Sequence, residues 1–209
     1  MKQSAPQNSD WIKRLPNILT VGRLALTVVF LAMILYAPHT GKTKPTGLLM
    51  TAFTLFLIAG ITDIIDGYVA RTFNASSKFG RTADPLADKI LVCGAFFCFA
   101  IVGQPLLQNF KLEPSLLHAI RWGTAAIIFA RELLVQTLRH LAESRGVNFG
   151  AVTHGKIKMF LQSFGIGTVI VGWAYVSRPW GDWIVIIIYL LLVAFTVYSG
   201  VNSLKRPIR

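Results

Sequence analysis

Four aspartates stand directly beside two long apolar stretches of this chain. Asp63 and Asp66 follow one uncharged stretch, and Asp84 and Asp88 precede the next. They are four of the nine acidic residues in the whole chain. A carboxylate next to membrane-length apolar sequence is unfavourable unless it faces another polar group, water or a cation. The four aspartates therefore predict a site, placed where two apolar helices end.

Spacing places the aspartates on two helix faces. Asp63 and Asp66 fall on one face of a helix, and Asp84, Asp88 and Gly80 share a face of the following helix. Carboxylates at this density repel one another, and oxygen ligands without a Cys or His cluster suit Mg²⁺, Mn²⁺ or Ca²⁺ better than Zn²⁺. A pair of divalent ions held by shared carboxylates can clamp a phosphate oxygen and activate a hydroxyl. We expect such a pair, Mg²⁺ or Mn²⁺, at this site.

Two glycines and one arginine within the segment fit the same interpretation. Gly67 and Gly80 lack a Cβ, which lets a ligand approach the backbone. Arg71 supplies a guanidinium that can bind phosphate through parallel hydrogen bonds. The alternative is a pair of polar helix ends with solvated charges, which the energetic penalty of charge near lipid disfavours.

The complete arrangement is D-x2-D-G-x2-A-R-x8-G-x3-D-x3-D, with all eight fixed positions matched. It resembles the signature of the CDP-alcohol phosphatidyltransferases, membrane enzymes that exchange the CMP of a CDP-activated lipid for an alcohol. Eight such positions match by chance about 10⁻¹⁰ times per starting point. The resemblance implies that Asp63, Asp66, Asp84 and Asp88 bind the metal ions. It also implies that Asp88 is the catalytic general base for the incoming hydroxyl.

The resemblance further implies a set of residues that bind the CDP-lipid. They are Asn17, Thr20, Gly67, Arg71, Ser77 and Gly80. For two of these residues a purely structural role is the alternative. Asn17 would then be a helix cap, and Ser77 would be an ordinary loop residue.

Further cations predict where the phosphate of the acceptor alcohol binds. Arg131 and Arg139 are two helical turns apart on one face, and Lys156 and Lys158 open the next helix. With Arg23, two turns into the first apolar stretch, they form the predicted acceptor-phosphate site. The pattern resembles the family members whose acceptor is sn-glycerol 3-phosphate. The alternatives are anchoring of the helices by cytoplasmic cations and, for Arg23, snorkelling to the membrane surface.

Hydrophobic residues make up 54% of the chain, which indicates an integral membrane protein. We predict an all-α, polytopic protein with six transmembrane helices and a short N-terminal amphipathic interfacial helix. The predicted spans are about 17–37, 46–63, 84–102, 115–143, 156–176 and 180–204. Residues 1–16 form the tail and interfacial segment, which ends at Pro16. Residues 17–204 form the membrane domain, and residues 205–209 form a basic tail.

Basic residues concentrate at the span ends that share a side with the amino terminus, which predicts that both termini and the carboxylate site face the cytoplasm. Residues 38–45 and 104–114 should then lie outside, and 72–80 and 144–155 inside. The net charge of +12 favours anionic membrane lipids or a phosphorylated substrate over nucleic acid, and no nucleic-acid partner is expected. We expect location in a bacterial cytoplasmic (inner) membrane.

These features together predict a phospholipid-synthesis enzyme. The resemblance implies transfer of the phosphatidyl group from CDP-diacylglycerol to glycerol 3-phosphate, with release of CMP. Alternative acceptors at the same site are inositol phosphate, serine and phosphatidylglycerol. A divalent-cation transporter is the alternative of another class, because it also needs intramembrane carboxylates. It would have no need of Arg71, Gly67 or Gly80. A homodimer is compatible with the sequence.

Overall fold

The computed structural model consists of long α-helices joined by short connections. It describes residues 9–41, 44–72, 78–145, 153–176 and 178–205, with the backbone alone at 9–17, 19, 63–72, 78–85, 108 and 153–156. The helices are α1 (Ser9–Tyr36), α2 (Thr46–Thr72), α3 (Lys78–Ile101), α4 (Pro114–Ser144), α5 (Thr153–Tyr175) and α6 (Pro179–Leu204). Two 3₁₀ turns, Ala37–Thr40 and Gln108–Phe110, follow α1 and α3. The part of the chain described contains no β-strand, so the all-α prediction is confirmed there.

Several helix ends follow from local backbone chemistry. α4 and α6 begin with Pro114 and Pro179, at a position where the missing N–H has no intrahelical partner to lose. The turn after α1 ends at Gly41, whose φ of 68° lies in the left-handed region that glycine adopts without strain. Because these signals are visible in the sequence, the observed ends of α4, α5 and α6 lie close to the predicted ones.

The amino-terminal end of α1 differs from the prediction. A separate interfacial helix ending at Pro16 was expected, but α1 runs without interruption from Ser9 through Pro16 to Tyr36. Proline removes one backbone hydrogen bond, that to the carbonyl of Ile12, and this loss alone does not end a helix in a membrane protein. The separate interfacial helix is therefore wrong. Placement of Trp11 and its neighbours on the membrane surface stays a prediction.

Packing of the helices buries a core of aromatic and aliphatic side chains. α1 packs on α2 and α3, α4 packs on α3 and α6, and α5 packs on α2 and α6. Phe30 and Phe96 are buried, and Phe30 lies with its ring centroid 5.5 Å from that of Phe56. The Phe96 ring meets Tyr189 edge to face at 6.1 Å. These contacts hold α1, α2, α3 and α6 in fixed positions around the core.

Two glycines set the approach of α5 and α6. A Cβ added to Gly165 would lie 2.9 Å from Leu192 Cδ1, and one added to Gly172 would lie 3.8 Å from Val185 Cγ2. Each step along α5 is thus matched by an equal step backward along α6, so the two helices are antiparallel. Small residues at such contacts let helix backbones approach closely. The start of α5 consequently lies beside the end of α6.

Several helices suit a membrane environment. Among the described residues, three segments are long and apolar enough to cross a bilayer, namely Thr20–Thr40, Ile157–Tyr175 and Pro179–Leu204. A shorter apolar stretch, Thr46–Thr62, lies in α2. Large apolar side chains also face outward, such as Phe160, which is 70% exposed. The described part of the protein is therefore all-helical, with several candidate membrane spans.

At one end of the bundle, polar side chains tie neighbouring segments together. Thr46 Oγ1 at the start of α2 donates a 3.1 Å hydrogen bond to the carbonyl of Ala174 at the end of α5. Asp182 Oδ2 at the start of α6 accepts hydrogen bonds from the Asn109 backbone N–H at 2.9 Å and its side-chain amide at 2.8 Å. These bonds bring the connections before α2, α4 and α6 to the same end.

Arg121 completes this arrangement. Its Nε and Nη2 atoms donate to the carbonyl of Pro105 at 3.0 Å and 2.8 Å. The guanidinium therefore holds the connection between α3 and α4 against the first turns of α4. We call this end the capped end; it comprises Thr46, Pro105, Asn109, Arg121, Ala174 and Asp182.

Candidate active site

The carboxylate motif lies where α2 ends and α3 begins. Asp63 and Asp66 occupy the last turns of α2, and Asp84 and Asp88 occupy the first turns of α3. The four aspartates thus lie on two successive helices, as their spacing predicted. Of these four side chains, the structure describes only that of Asp88, which is half-buried. The metal-ligand roles stay predictions, and within the described residues there is no group of three His, Cys, Asp or Glu side chains close enough to hold a metal ion.

Three of the six predicted CDP-lipid residues, Gly67, Arg71 and Gly80, lie at the same helix ends. Gly67 and Arg71 are on α2, Gly80 is on α3, and Asn17 is on α1, each with its backbone alone described. Ser77 lies outside the described residues. Thr20 is on α1 and is buried at 3% exposure. Their roles in binding the lipid stay predictions.

One carboxylate oxygen joins two of the predicted phosphate-binding cations. Glu132 Oε1 on α4 forms an ion pair with Lys158 Nζ on α5, and it contacts Arg131 Nη1 at 3.2 Å. Arg131 Nη2 donates a 2.7 Å hydrogen bond to Ser199 Oγ on α6. Three helices are linked by these contacts. We call this network of Arg131, Glu132, Lys158 and Ser199 the clamp.

The clamp is withdrawn from solvent. Lys158 is 5% exposed, Glu132 is 8% exposed and Ser199 is 3% exposed. Burying a charge is unfavourable unless it is paired and hydrogen-bonded, and breaking such a pair is more damaging than replacing it. The pairing explains how α4 and α5 carry charges where three helices meet.

Asp88 on α3 adjoins the clamp. Its carboxylate lies close enough to Lys158, Glu132 and Arg23 to interact with each of them electrostatically. Arg23 comes from α1 and is 1% exposed. The last aspartate of the motif and three predicted phosphate-binding cations, Arg23, Arg131 and Lys158, are therefore brought to one region. We call it the charged end; it lies opposite the capped end.

The remaining predicted cations lie at the edge of this region. Arg139 is exposed on α4, and it is close enough to interact electrostatically with Lys89 on α3. Lys89 Nζ donates a 2.5 Å hydrogen bond to Gln136 Oε1. Lys156 lies at the start of α5, with its backbone alone described. Arg139 is thus open to solution. Lys158, which belongs to the same predicted acceptor-phosphate site, is instead buried and paired with Glu132.

Some buried polar atoms of the charged end have no partner within the described part of the chain. They are Nε of Arg131, Nε2 of Gln162 and Oγ1 of Thr196. Gln162 lies one turn along α5 from Lys158, and Thr196 lies one turn before Ser199 on α6. Buried polar groups are almost always hydrogen-bonded, so such atoms indicate a place for water or a polar ligand.

Sequence reasoning assigned no role to Glu132, Thr196 or Ser199. A carboxylate inside the apolar sequence of α4 is a signal that could have identified Glu132. No comparable signal exists for Ser199 or Thr196, because single hydroxyl residues are common in membrane helices and usually bind their own backbone. Only the packing of α4 against α6 shows that Ser199 holds Arg131.

Comparison with known proteins extends over almost the whole chain. The family model for CDP-alcohol phosphatidyltransferase matches residues 13–198. A probable phosphatidylglycerophosphate synthase of Mycobacterium tuberculosis is 30% identical over 201 residues, covering 95% of this chain and 83% of the relative. A CDP-diacylglycerol–glycerol-3-phosphate 3-phosphatidyltransferase of Bacillus subtilis is 33% identical over 195 residues, covering 89% of this chain and 91% of the relative.

A relative of the same printed name from Rickettsia bellii is 32% identical over 196 residues, covering 92% of this chain and 94% of the relative. The family match includes the carboxylate motif and all of the clamp except Ser199. The chain therefore belongs to the CDP-alcohol phosphatidyltransferase family.

Proposed function

We propose that the protein transfers the phosphatidyl group of CDP-diacylglycerol to sn-glycerol 3-phosphate, which gives phosphatidylglycerophosphate and CMP. The observation that carries this proposal is the position of Asp88 beside the buried cations Arg23 and Lys158. A phosphorylated alcohol needs a proton acceptor for its hydroxyl and cations for its phosphate, whereas an uncharged alcohol needs only the first. The relatives named for glycerol 3-phosphate support the same acceptor.

The reaction is a phosphoryl transfer. The hydroxyl oxygen of the acceptor forms a bond to the lipid-side phosphorus, and the bond from that phosphorus to the CMP oxygen breaks. The hydroxyl proton passes to Asp88, and CMP leaves as an anion. Such reactions depend on positioning and charge neutralisation more than on covalent chemistry with the protein. Arg23, Arg131, Arg139, Lys156 and Lys158 have the proposed role of holding the phosphate of the acceptor.

Divalent metal ions fit the residues of the motif. Asp63, Asp66, Asp84 and Asp88 offer carboxylate oxygens alone, which are the ligands that Mg²⁺ and Mn²⁺ prefer. Two such ions, when bound, would neutralise the charge on the pyrophosphate. Asp88 is half-buried and lies near the cations Lys158 and Arg23 of the chain itself, so its carboxylate adjoins the proposed acceptor site. We assign the four aspartates as ligands on this basis.

The CDP-lipid is proposed to bind along the ends of α1, α2 and α3. The residues proposed to contact it are Asn17, Thr20, Gly67, Arg71, Ser77 and Gly80. Thr20 lies one turn before Arg23 on α1, so the lipid and acceptor sites share a helix face. This arrangement would bring the two substrates together beside Asp88.

All six helices are proposed to cross a bacterial cytoplasmic membrane, with the charged end facing the cytoplasm. In support, the connections before α2, α4 and α6 meet at the capped end, so consecutive helices alternate in direction. The distribution of basic residues favours the cytoplasm for the opposite end. The predicted homodimer has no support in the single chain and is not part of the proposal.

Cysteine labelling tests this orientation. In a variant without Cys93 and Cys98, a cysteine placed at Ser76 should be protected from an impermeant thiol reagent in intact cells. A cysteine at Asn109 should be labelled from outside. Labelling of position 76 from the outer face would overturn the orientation.

An acceptor panel tests the reaction. The purified protein in lipid–detergent micelles is given CDP-diacylglycerol and Mg²⁺ or Mn²⁺ with glycerol 3-phosphate, glycerol, serine, inositol phosphate or phosphatidylglycerol. We expect a phosphatidylglycerophosphate product and stoichiometric CMP with glycerol 3-phosphate alone. Preferred use of any other acceptor, or equal use of glycerol without phosphate, would overturn the proposed substrate.

A further inference from the structure

The clamp contains one carboxylate and two cations, and both cations contact the same oxygen. We propose that Glu132 is a positioning residue: its Oε1 atom holds the Lys158 ammonium and the Arg131 guanidinium together, and thereby determines how tightly the phosphate of the acceptor is bound. This inference rests on the proposed function and adds a residue to it. Glu132 itself is not proposed to touch the substrate.

The contacts show what each cation depends on. Lys158 carries its ammonium on a flexible stem, and among the described residues Glu132 is the one that accepts a hydrogen bond from that ammonium. Arg131 is held on two sides, by Glu132 through Nη1 and by Ser199 through Nη2. Within the described residues, the ammonium of Lys158 is thus hydrogen-bonded to Glu132 alone, and the guanidinium of Arg131 is hydrogen-bonded to Glu132 and Ser199 together.

Charge balance favours a role in anion binding over a role in stability alone. Two cations and one carboxylate leave the clamp with one surplus positive charge. Burial of a neutral ion pair would be less unfavourable in free energy, and burial of two unpaired cations would be far more unfavourable. Nε of Arg131 is also buried, and it has no hydrogen-bond partner in the described part of the chain. One surplus positive charge and one unused donor suit a site that receives a phosphate dianion.

The competing explanation is that Glu132 only fastens α4 to α5. A fastening residue would affect the amount of folded protein, its thermal stability and hence the apparent kcat. It would leave the KM of the remaining folded enzyme unchanged. A positioning residue would raise the KM for the acceptor while the KM for CDP-diacylglycerol stays the same. The two explanations therefore differ in which kinetic constant moves.

The test compares Glu132→Gln and Glu132→Asp with Glu143→Gln in the full-length protein. Glu143 is a matched control because it is an exposed glutamate on the same helix. We expect Glu132→Gln to raise the KM for glycerol 3-phosphate by about 10-fold or more, because two charge-assisted contacts lose their anchor. Glu132→Asp should restore part of that loss, since a carboxylate is retained one methylene further away. Glu143→Gln should match the wild type.

An unchanged acceptor KM in Glu132→Gln, with a lower melting temperature, would overturn the inference. If Glu132→Gln does not fold, the KM for the acceptor is measured in Glu132→Asp and Ser199→Ala instead. A wild-type value in both variants would also overturn the inference. A wild-type protein that prefers another phosphorylated acceptor would refute the proposed substrate instead. The same KM comparison on that acceptor would then still decide the role of Glu132.

Discussion

At the capped end of the bundle, charged side chains bind neutral groups. Arg121 donates to the carbonyl of Pro105, and Asp182 accepts from the backbone and side chain of Asn109. At the charged end, Glu132 binds two cations through one oxygen, and further cations gather around Asp88.

The difference shows which charges serve the fold and which are available to a ligand. Arg121 donates hydrogen bonds to a backbone carbonyl of one connection, and Asp182 accepts them from the backbone and side chain of Asn109, so these two charged side chains serve the fold. Among the described side chains, the charged end has a surplus of cations, together with buried polar atoms that lack a partner there, such as Nε2 of Gln162. Substitutions at the two ends should therefore have different consequences.

The largest expected effect is complete loss of activity on replacement of a proposed metal ligand. Asp63→Asn, Asp66→Asn and Asp84→Asn should each reduce product formation to background, because an amide oxygen carries no net charge to offset a dication. Asp182→Asn, at the capped end, should stay active. Product formation is measured across a Mn²⁺ titration, and partial rescue at high Mn²⁺ would strengthen the assignment. Wild-type activity in any of the three at ordinary metal concentration contradicts it.

Replacement of the proposed general base should have the next largest effect. Asp88→Asn should lower kcat by about 10² to 10⁴-fold at saturating acceptor, since the hydroxyl proton has no acceptor. The acceptor KM should change much less. Steady-state kinetics at several Mg²⁺ concentrations separate this effect from weakened metal binding. If added metal restores full turnover to Asp88→Asn, the residue is a ligand only.

A smaller effect is expected from the cations at the edge of the charged end. Arg139→Ala and Lys156→Ala should each raise the KM for glycerol 3-phosphate by about 10 to 150-fold, the value of one charge-assisted contact. Arg178→Ala is the matched control, because Arg178 is an exposed arginine at the start of α6 near the capped end. Initial rates over a range of acceptor concentrations give the comparison. Equal KM values for Arg139→Ala and Arg178→Ala would show that Arg139 only anchors the helix.

The smallest effect concerns the capped end alone. Thr46→Val removes the hydrogen bond to the carbonyl of Ala174 and should lower the free energy of unfolding by about 0.5 to 1.5 kcal/mol. Unfolding in mixed micelles measures the change, with Thr54→Val as control, because the hydroxyl of Thr54 bonds within its own helix. Both variants should keep wild-type kcat and KM. A shifted acceptor KM in Thr46→Val would show that the two ends are coupled.

Helix positions were largely predictable, because the features that define them are local. The predicted spans 156–176 and 180–204 compare with Thr153–Tyr175 and Pro179–Leu204 in the structure. Apolar composition, charges at helix ends and a proline at the start of α6 carry this information in adjacent residues. The same local logic failed at Pro16, where the surrounding helix continued despite the proline.

The clamp was not predictable to the same degree, because it depends on packing between distant segments. Sequence spacing put Lys158 near the start of a helix, and the structure places it in the second turn of α5. Pairing of Lys158 with Glu132 depends on the relative depth of α4 and α5 in the bundle, and no residue pattern encodes that depth. The bond from Arg131 to Ser199 likewise depends on how α4 meets α6.

The length of α4 has a consequence for where the reaction would take place. A helix of 31 residues is about 46 Å long, whereas the hydrocarbon layer of a bilayer is about 30 Å thick. Glu132 lies about 27 Å along this helix from Pro114. If Pro114 marks the outer boundary of the hydrocarbon, Glu132 lies at the depth of the inner boundary, beside the phosphates of the inner leaflet. In the proposed orientation, the rest of α4, including Arg139, then extends into the cytosol. A soluble phosphate ester would there reach the pyrophosphate of a lipid that stays in its own leaflet.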